Sequence, residues 1–263
     1  MNIKKHIFLY LFSILFSTIY LNANELRIIT NEEPPTNYLD ENQKVVGITV
    51  DVVKKLKEEL KLDTQIEFMP WTKAYNIALE KPNIVIFTGG KTFERIKEGF
   101  HFIGPIVTKK HILFSKATKN IEVSTALDIK KQELKIGAMK NDWRSKYFKD
   151  KGLIVSDVLN HQENVNKLML GKIDLLTSSS LEFPFIMQKA NISMDKIKDS
   201  YVFKEFDSYI IISKETSRKD VKKWKLAFKK LQKTDFFEKT AKKWSEILDI
   251  NLEYSKAKGF YKQ

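Results

Sequence analysis

The sequence predicts an α/β fold of mostly parallel sheet, and three observations carry that expectation. Short β-like runs alternate with amphipathic helical runs along nearly the whole chain, the pattern of strand–helix–strand units. The length, 263 residues at 43% hydrophobic content, suffices for one large domain or two smaller ones, each with a real core. Only 9 Gly and 6 Pro occur, which excludes fibrous and disordered classes.

The elements follow in order. Residues 1–23 read as an export address. Lys4 and Lys5 give a basic start, Ile7–Tyr20 an apolar run, and Ala23 a small residue at the cleavage point. The run is shorter than the roughly 20 residues of a spanning helix, and Ser and Thr interrupt it; a retained anchor is the alternative. Strands are expected at Leu26–Thr30, Gln65–Met69, Ile84–Phe87, Ile112–Ser115, Leu134–Met139, Ile173–Thr177 and Tyr209–Ser213. Thr49–Leu60 is expected to be helical because Val50, Val53, Leu56 and Leu60 recur near helical spacing. Further helices are expected at Thr72–Glu80, Thr125–Gln132, Trp143–Lys149, Glu163–Leu170 and Glu182–Gln188, then Lys219–Lys233 and Phe236–Leu248. The Lys-rich tail from Glu253 is expected to fray.

The formal net charge is +13, from 46 Lys+Arg against 33 Asp+Glu. Such an excess invites a nucleic-acid or membrane-surface reading. Its composition argues otherwise. Only Arg27, Arg95, Arg144 and Arg218 are arginines, whereas nucleic-acid readers lean on the planar guanidinium. The scattered lysines read as a solvated surface, and no nucleic-acid partner is expected. The absence of Cys excludes disulfide scaffolds, thiolate catalysis, Cys-based metal sites and a lipid anchor on an N-terminal Cys. His6, His101, His111 and His161 have no metal-like spacing, and no phosphate loop or nucleophile elbow occurs. No metal, cofactor or catalytic residue is therefore expected.

Several segments share an order and spacing. Pro34-Pro35-x-x-Tyr38 follows the first strand. Gly47-x-x-x-Asp51 leads into a helix, and Pro70-Trp71 precedes Ala74-Tyr75. Thr88-Gly89-Gly90-x-Thr92-x-x-Arg95 comes before Phe102-x-Gly104-Pro105. Ile136-Gly137-Ala138, Gly171-Lys172-Ile173-Asp174 and Ile210–Lys214 complete the set. Together they resemble the family 3 periplasmic solute-binding proteins of the polar amino-acid uptake type. That resemblance implies two α/β lobes, two hinge crossings and a ligand cleft between the lobes. It places the crossings near Lys109–Leu113 and Lys204–Ser208. Lobe one would comprise 24–111 and 205–263, and lobe two 112–204. It also implies a monomer in the periplasm, presenting its ligand to an inner-membrane ABC permease. A sensory module that reports to a membrane receptor is the alternative.

The site chemistry centres on Arg95. In a chain that otherwise uses Lys, an Arg suggests a need for a planar fork, which suits a carboxylate. Thr92 can cap the short helix that carries it, and backbone N–H groups at that helix start would add to an anion site. Gly89 and Gly90 allow close backbone approach, and the Thr88 hydroxyl can join the same cluster. In the family these positions grip the ligand's α-carboxylate, and Thr88, Gly90 and Arg95 match that motif. Trp71 and Tyr38 are candidate aromatic walls. Lobe two departs from the pattern: the acid that holds an α-ammonium in amino-acid binders falls near Ser179. The nearest substitutes are Glu182 and Asp142, the latter in Asn141-Asp142-Trp143-Arg144, which in the family gives lobe two its second contact. Either Asp142 takes the ammonium, or the ligand is a small carboxylate lacking one, with Arg144 adding positive charge. A dehydratase acting on a cyclic carboxylate is the third reading, with Glu33 as its acid.

Overall fold

A computed structural model describes residues 25–140 and 142–263, so the proposed export address lies outside the described residues. The first half of the chain contains β1 (Arg27–Thr30), β2 (Tyr38–Leu39), β3 (Val45–Val46), α1 (Ile48–Leu60), β4 (Ile66–Phe68), α2 (Trp71–Glu80), β5 (Ile84–Gly90) and α3 (Phe93–Lys97). A long strand, β6 (His101–Lys116), leads to α4 (Ala126–Lys131), β7 (Ile136–Met139), α5 (Trp143–Asp150), β8 (Val155–Val158), α6 (His161–Met169), β9 (Leu175–Ser179) and α7 (Glu182–Lys189). A second long strand, β10 (Ile197–Ile212), is followed by α8 (Arg218–Leu231), α9 (Phe236–Leu248), β11 (Leu252–Ser255) and β12 (Gly259–Lys262). Among the described residues no helix is long and apolar enough to cross a membrane.

Nearly all the strands form one continuous sheet in the order β4-β1-β5-β10-β6-β9-β7-β8. The parallel pairing expected from the strand–helix alternation holds at both ends, where β1 pairs with β4 and β5, and β7 with β8 and β9. The middle is antiparallel, because β6 and β10 run against each other over 16 residues each. The start of β6 and the end of β10 belong to the β1–β5 end, where Ser208–Ile212 pair with Gly90–Val85. The far half of β6 pairs with β9 through His111–Phe114 and Ser179–Leu176. Each long strand thus passes from one parallel group to the other, and the chain forms two lobes.

Each lobe has its own core. Ile28, Val53, Phe87, Trp224 and Phe237 are buried together on one side. Ile112, Phe114, Val165 and Phe183 are buried in the other lobe, backed by a second cluster around Leu113, Ile129 and Phe148. The apolar spacing read in α1 has this cause: Val50, Val53 and Leu56 line its buried face. Asp51 ties that helix to α9 by accepting from Trp244 Nε1 at 2.8 Å and Lys243 Nζ at 2.7 Å. Helix α7 reaches between the lobes. Leu181, just before it, and Phe185 within it are buried in the first lobe's core, and Gln188 donates to the Ile247 carbonyl at 3.2 Å.

The C-terminal tail differs from expectation. It is a hairpin, with Leu252–Ser255 antiparallel to Gly259–Lys262 and Phe260 bridged to Val107 of β6. Phe260 is fully buried and the Tyr254 ring stacks on Phe237 at 4.2 Å. Lysine content hid two aromatic anchors that outweigh it.

Gly259 makes that docking possible, since at φ +69° a Cβ would lie 2.1 Å from the Ile106 carbonyl. Gly171 has the same backbone, φ +71°, but open space around it. Urea denaturation should therefore separate the two. Gly171→Ala carries only the left-handed backbone penalty, about 1 kcal/mol, whereas Gly259→Ala should cost at least about 2–3 kcal/mol more through displacement of the hairpin. Equal losses would show that the hairpin is not clamped to β6.

Candidate functional site

The cleft consists of two adjoining chambers. The larger, about 610 Å³, is lined by Glu32, Asp142, Arg144, His161, Ser179 and Glu182 among others. The smaller, about 350 Å³, is lined by Thr88, Gly90, Thr92, Arg95, Phe206 and Ser208 among others. Glu33, Lys109, His111 and Trp143 line both, so the chambers are adjacent. Both volumes fall in the range of small-molecule sites.

Arg95 stands at the end of a short chain of causes. Gly89 has no side chain, and a Cβ there would meet Trp71 Cη2 at 2.7 Å. The gap seats Trp71 against β5, and Trp71 stacks on Tyr75 with centroids 5.8 Å apart. The Arg95 guanidinium lies over both rings, 4.9 Å from Trp71 and 5.1 Å from Tyr75. Its Nη1 donates to the Gly90 carbonyl at 2.6 Å. Among the described residues no carboxylate lies within ion-pair distance of it; Arg27 and Arg144, by contrast, are both paired. Arg95 is thus a pre-oriented fork whose other N–H donors have no carboxylate partner.

The neighbouring candidates have narrower roles. Thr92 caps α3, accepting from Arg95 N at 3.3 Å. That helix start is served from within, since its own backbone N–H and the Thr92 hydroxyl hold the Glu94 carboxyl below the usual carboxylate range. Thr88 has φ +70°, unusual for a β-branched residue, at the bulge where Phe87 and Gly89 pair with Ile210 and Tyr209. Its hydroxyl is engaged by Asn37 and by Thr49 at 3.1 Å, so it braces the first lobe. Trp71 lines the larger chamber. Tyr38 stands apart from these walls, packed edge-on against Phe185 at 5.2 Å.

The second lobe brings a buried charge cluster. Asp142 caps α5, accepting from Arg144 N at 2.7 Å, and binds the guanidinium through Nη2 at 2.6 Å and Nε at 3.0 Å. Arg144 Nη1 donates to Glu182 Oε2 at 2.7 Å, and the Ser178 hydroxyl reaches the same oxygen at 2.7 Å. Burial alone would lower the Arg144 pKa, but the two carboxylates raise it. Burial likewise opposes charge on Glu182, yet Arg144 pulls its carboxyl down to about 2. The cluster therefore has two acids for one arginine. The surplus falls at Glu182 Oε1, 3.6 Å from His161 Nε2. Ser179, where an acid was expected, accepts from Glu182 N at 3.1 Å and so positions that substitute. Arg144 adds no free positive charge to the cleft, and Asp142 is committed to it.

Among the cleft residues not singled out from the sequence are Lys109, His111 and Phe206, all on the crossing strands. Lys109 is buried and ion-paired with Glu33. Burial, with Arg144 and Lys109 nearby, pushes the His111 imidazole down to about 3, against the pull of Glu182 and Asp142. Below pH 6.5 the unfolded chain then binds a proton that folded His111 refuses, so stability falls as pH drops from about 6.5 toward 3. Glu182 adds to this, because its contribution is present above pH 4.5 and fades toward 2. Melting temperature should decline across pH 6.5–4.5, and His111→Phe should flatten that decline. Parallel curves for the two proteins would show that His111 does not set it.

The chain matches the model of the bacterial extracellular solute-binding proteins, family 3, over residues 26–255. No curated protein matches it. Among solved structures it is similar to holo ArgBP from T. maritima, at 17% identity and TM-score 0.60 over 87% of this chain and 98% of that one. It is also similar to a histidine-bound ABC uptake transporter substrate binding protein from Streptococcus pneumoniae, at 17% identity and TM-score 0.65 over 83% and 91%. A third likeness is to a histidine kinase sensor domain with similarity to periplasmic binding proteins, at 13% identity and TM-score 0.67 over 85% and 97%. With the family model spanning nearly all described residues of a two-lobed fold, the chain belongs to the family 3 bacterial extracellular solute-binding proteins.

Proposed function

We propose that this solute-binding protein is exported to the periplasm and captures a small amino-acid-like zwitterion for an inner-membrane ABC importer. The observation that carries this reading is the opposite sign of the two cleft ends. The smaller chamber offers Arg95 without a carboxylate partner, and the larger offers a surplus acid at Glu182. A carboxylate placed at Arg95 and an ammonium placed near Glu182 Oε1 and the Ser179 hydroxyl would bridge the lobes. Contacts that both lobes must supply favour the closed form, so ligand shifts the population toward it. In this reading Arg95 is the carboxylate grip and Glu182 the ammonium acceptor.

Two alternatives stand behind it. The likeness to a histidine kinase sensor domain supports a sensory role for the same binding chemistry. Stimulation of a permease's ATPase by the loaded protein in proteoliposomes separates transport from sensing. The dehydratase reading weakens, because the Glu33 carboxylate is engaged by Lys109.

Calorimetry with amino acids and their deaminated carboxylates tests the zwitterion directly. Amino acids should bind at least about 100-fold tighter, the loss expected when a charged hydrogen-bonding group is left unpaired. Arg95→Ala should lose a similar factor without unfolding. Equal affinity for the deaminated compounds overturns the ammonium site, and retained affinity in Arg95→Ala overturns the carboxylate site.

A further inference from the structure

We infer that His111, with the rings of Trp143 and Phe206, forms the pocket for the ligand's side chain, and that this side chain is uncharged and hydrogen-bonding, an amide or an azole. This rests on the zwitterion reading and adds what lies between its two charged ends.

His111 is central to the cleft. Its strand partners are Ser179 on β9 and Lys204 on β10, and it lines both chambers. It is only 9% exposed, yet among the described residues its buried Nδ1 has no hydrogen-bond partner. An unpaired buried nitrogen is costly, and such groups in native proteins call for an explanation. A ligand group that reaches the ring when the lobes close would supply one. A neutral imidazole both donates and accepts, so it suits an amide or another azole.

The rings supply the rest. Trp143 and Phe206 meet the His111 ring edge-on, at 4.9 Å and 5.5 Å, and lie 5.7 Å from each other. They remain 42% and 40% exposed, and both line the smaller chamber. Large rings left open in a cleft mark a contact surface. A cation already occupies the group from the other side, since Lys204 Nζ lies 4.9 Å from the Phe206 centroid, 5.7 Å from Trp143 and 5.5 Å from Tyr147. A guanidinium or ammonium side chain entering these rings would therefore meet a like charge at Lys204. A carboxylate side chain would lose its water against the rings, while Glu33 already engages Lys109 and two acids already hold Arg144.

The probes are glutamine, histidine, alanine, arginine and glutamate, titrated into the wild type, His111→Phe and Phe206→Ala. Wild type should bind glutamine or histidine at least tenfold tighter than alanine. His111→Phe should erase that preference by weakening glutamine and histidine binding far more than alanine binding, a pattern that a merely structural loss would not give. Phe206→Ala, at an exposed position, should reduce the preference and serves if His111→Phe does not fold. Preference retained in both variants, or tightest binding of arginine or glutamate, overturns the pocket alone. Absence of binding by every probe to the folded wild type defeats the zwitterion reading and the pocket with it.

Discussion

The antiparallel ladder between His101–Lys116 and Ile197–Ile212 bears on everything else in this molecule. Backbone hydrogen bonds hold the two strands together along both lobes, so the lobes share one ladder. The same strands supply the cleft floor: Lys109 and His111 come from one, Phe206 and Ser208 from the other. Register shifts interrupt the second strand at Val202/Lys204 and at Ser208/Ile210, flanking Phe206. Bulges bend and twist a strand locally. The bulged segment and the segment that lines the cleft are therefore one stretch of backbone.

Much of the fold was legible because periodicity reports burial. Helix α9 carries Phe237, Ala241, Trp244 and Leu248 on one buried face, and its expected limits match the structure. Among the elements that escaped, two show why. Val155–Val158 pairs with β7 at the sheet edge, where a burial signal is weak. The tail hairpin was hidden by its lysines, although Phe260 and Tyr254 were the residues that mattered.

The site was legible where one motif holds it and obscure where distant residues meet. Arg95 could be read because Thr92 and Gly90 lie within five residues of it. The fate of Arg144 could not, since Glu182 is 38 positions away. Nor could the use of Gly89 as a seat for Trp71. In the sequence His111 stands out only as one of four histidines without metal-like spacing. The one usable signal was its place beside Lys109 on an expected crossing.

Helix α7 joins two events that are usually separate. Its first residue, Glu182, sits in the charge cluster of the cleft, and Phe185, one turn on, is buried in the opposite lobe's core against Tyr38. The helix is eight residues long, a rod of roughly 12 Å. A rod pinned at both ends transmits force. A single short helix therefore ties the charge cluster of one lobe to the core of the other, so a shift at either end of it displaces the other.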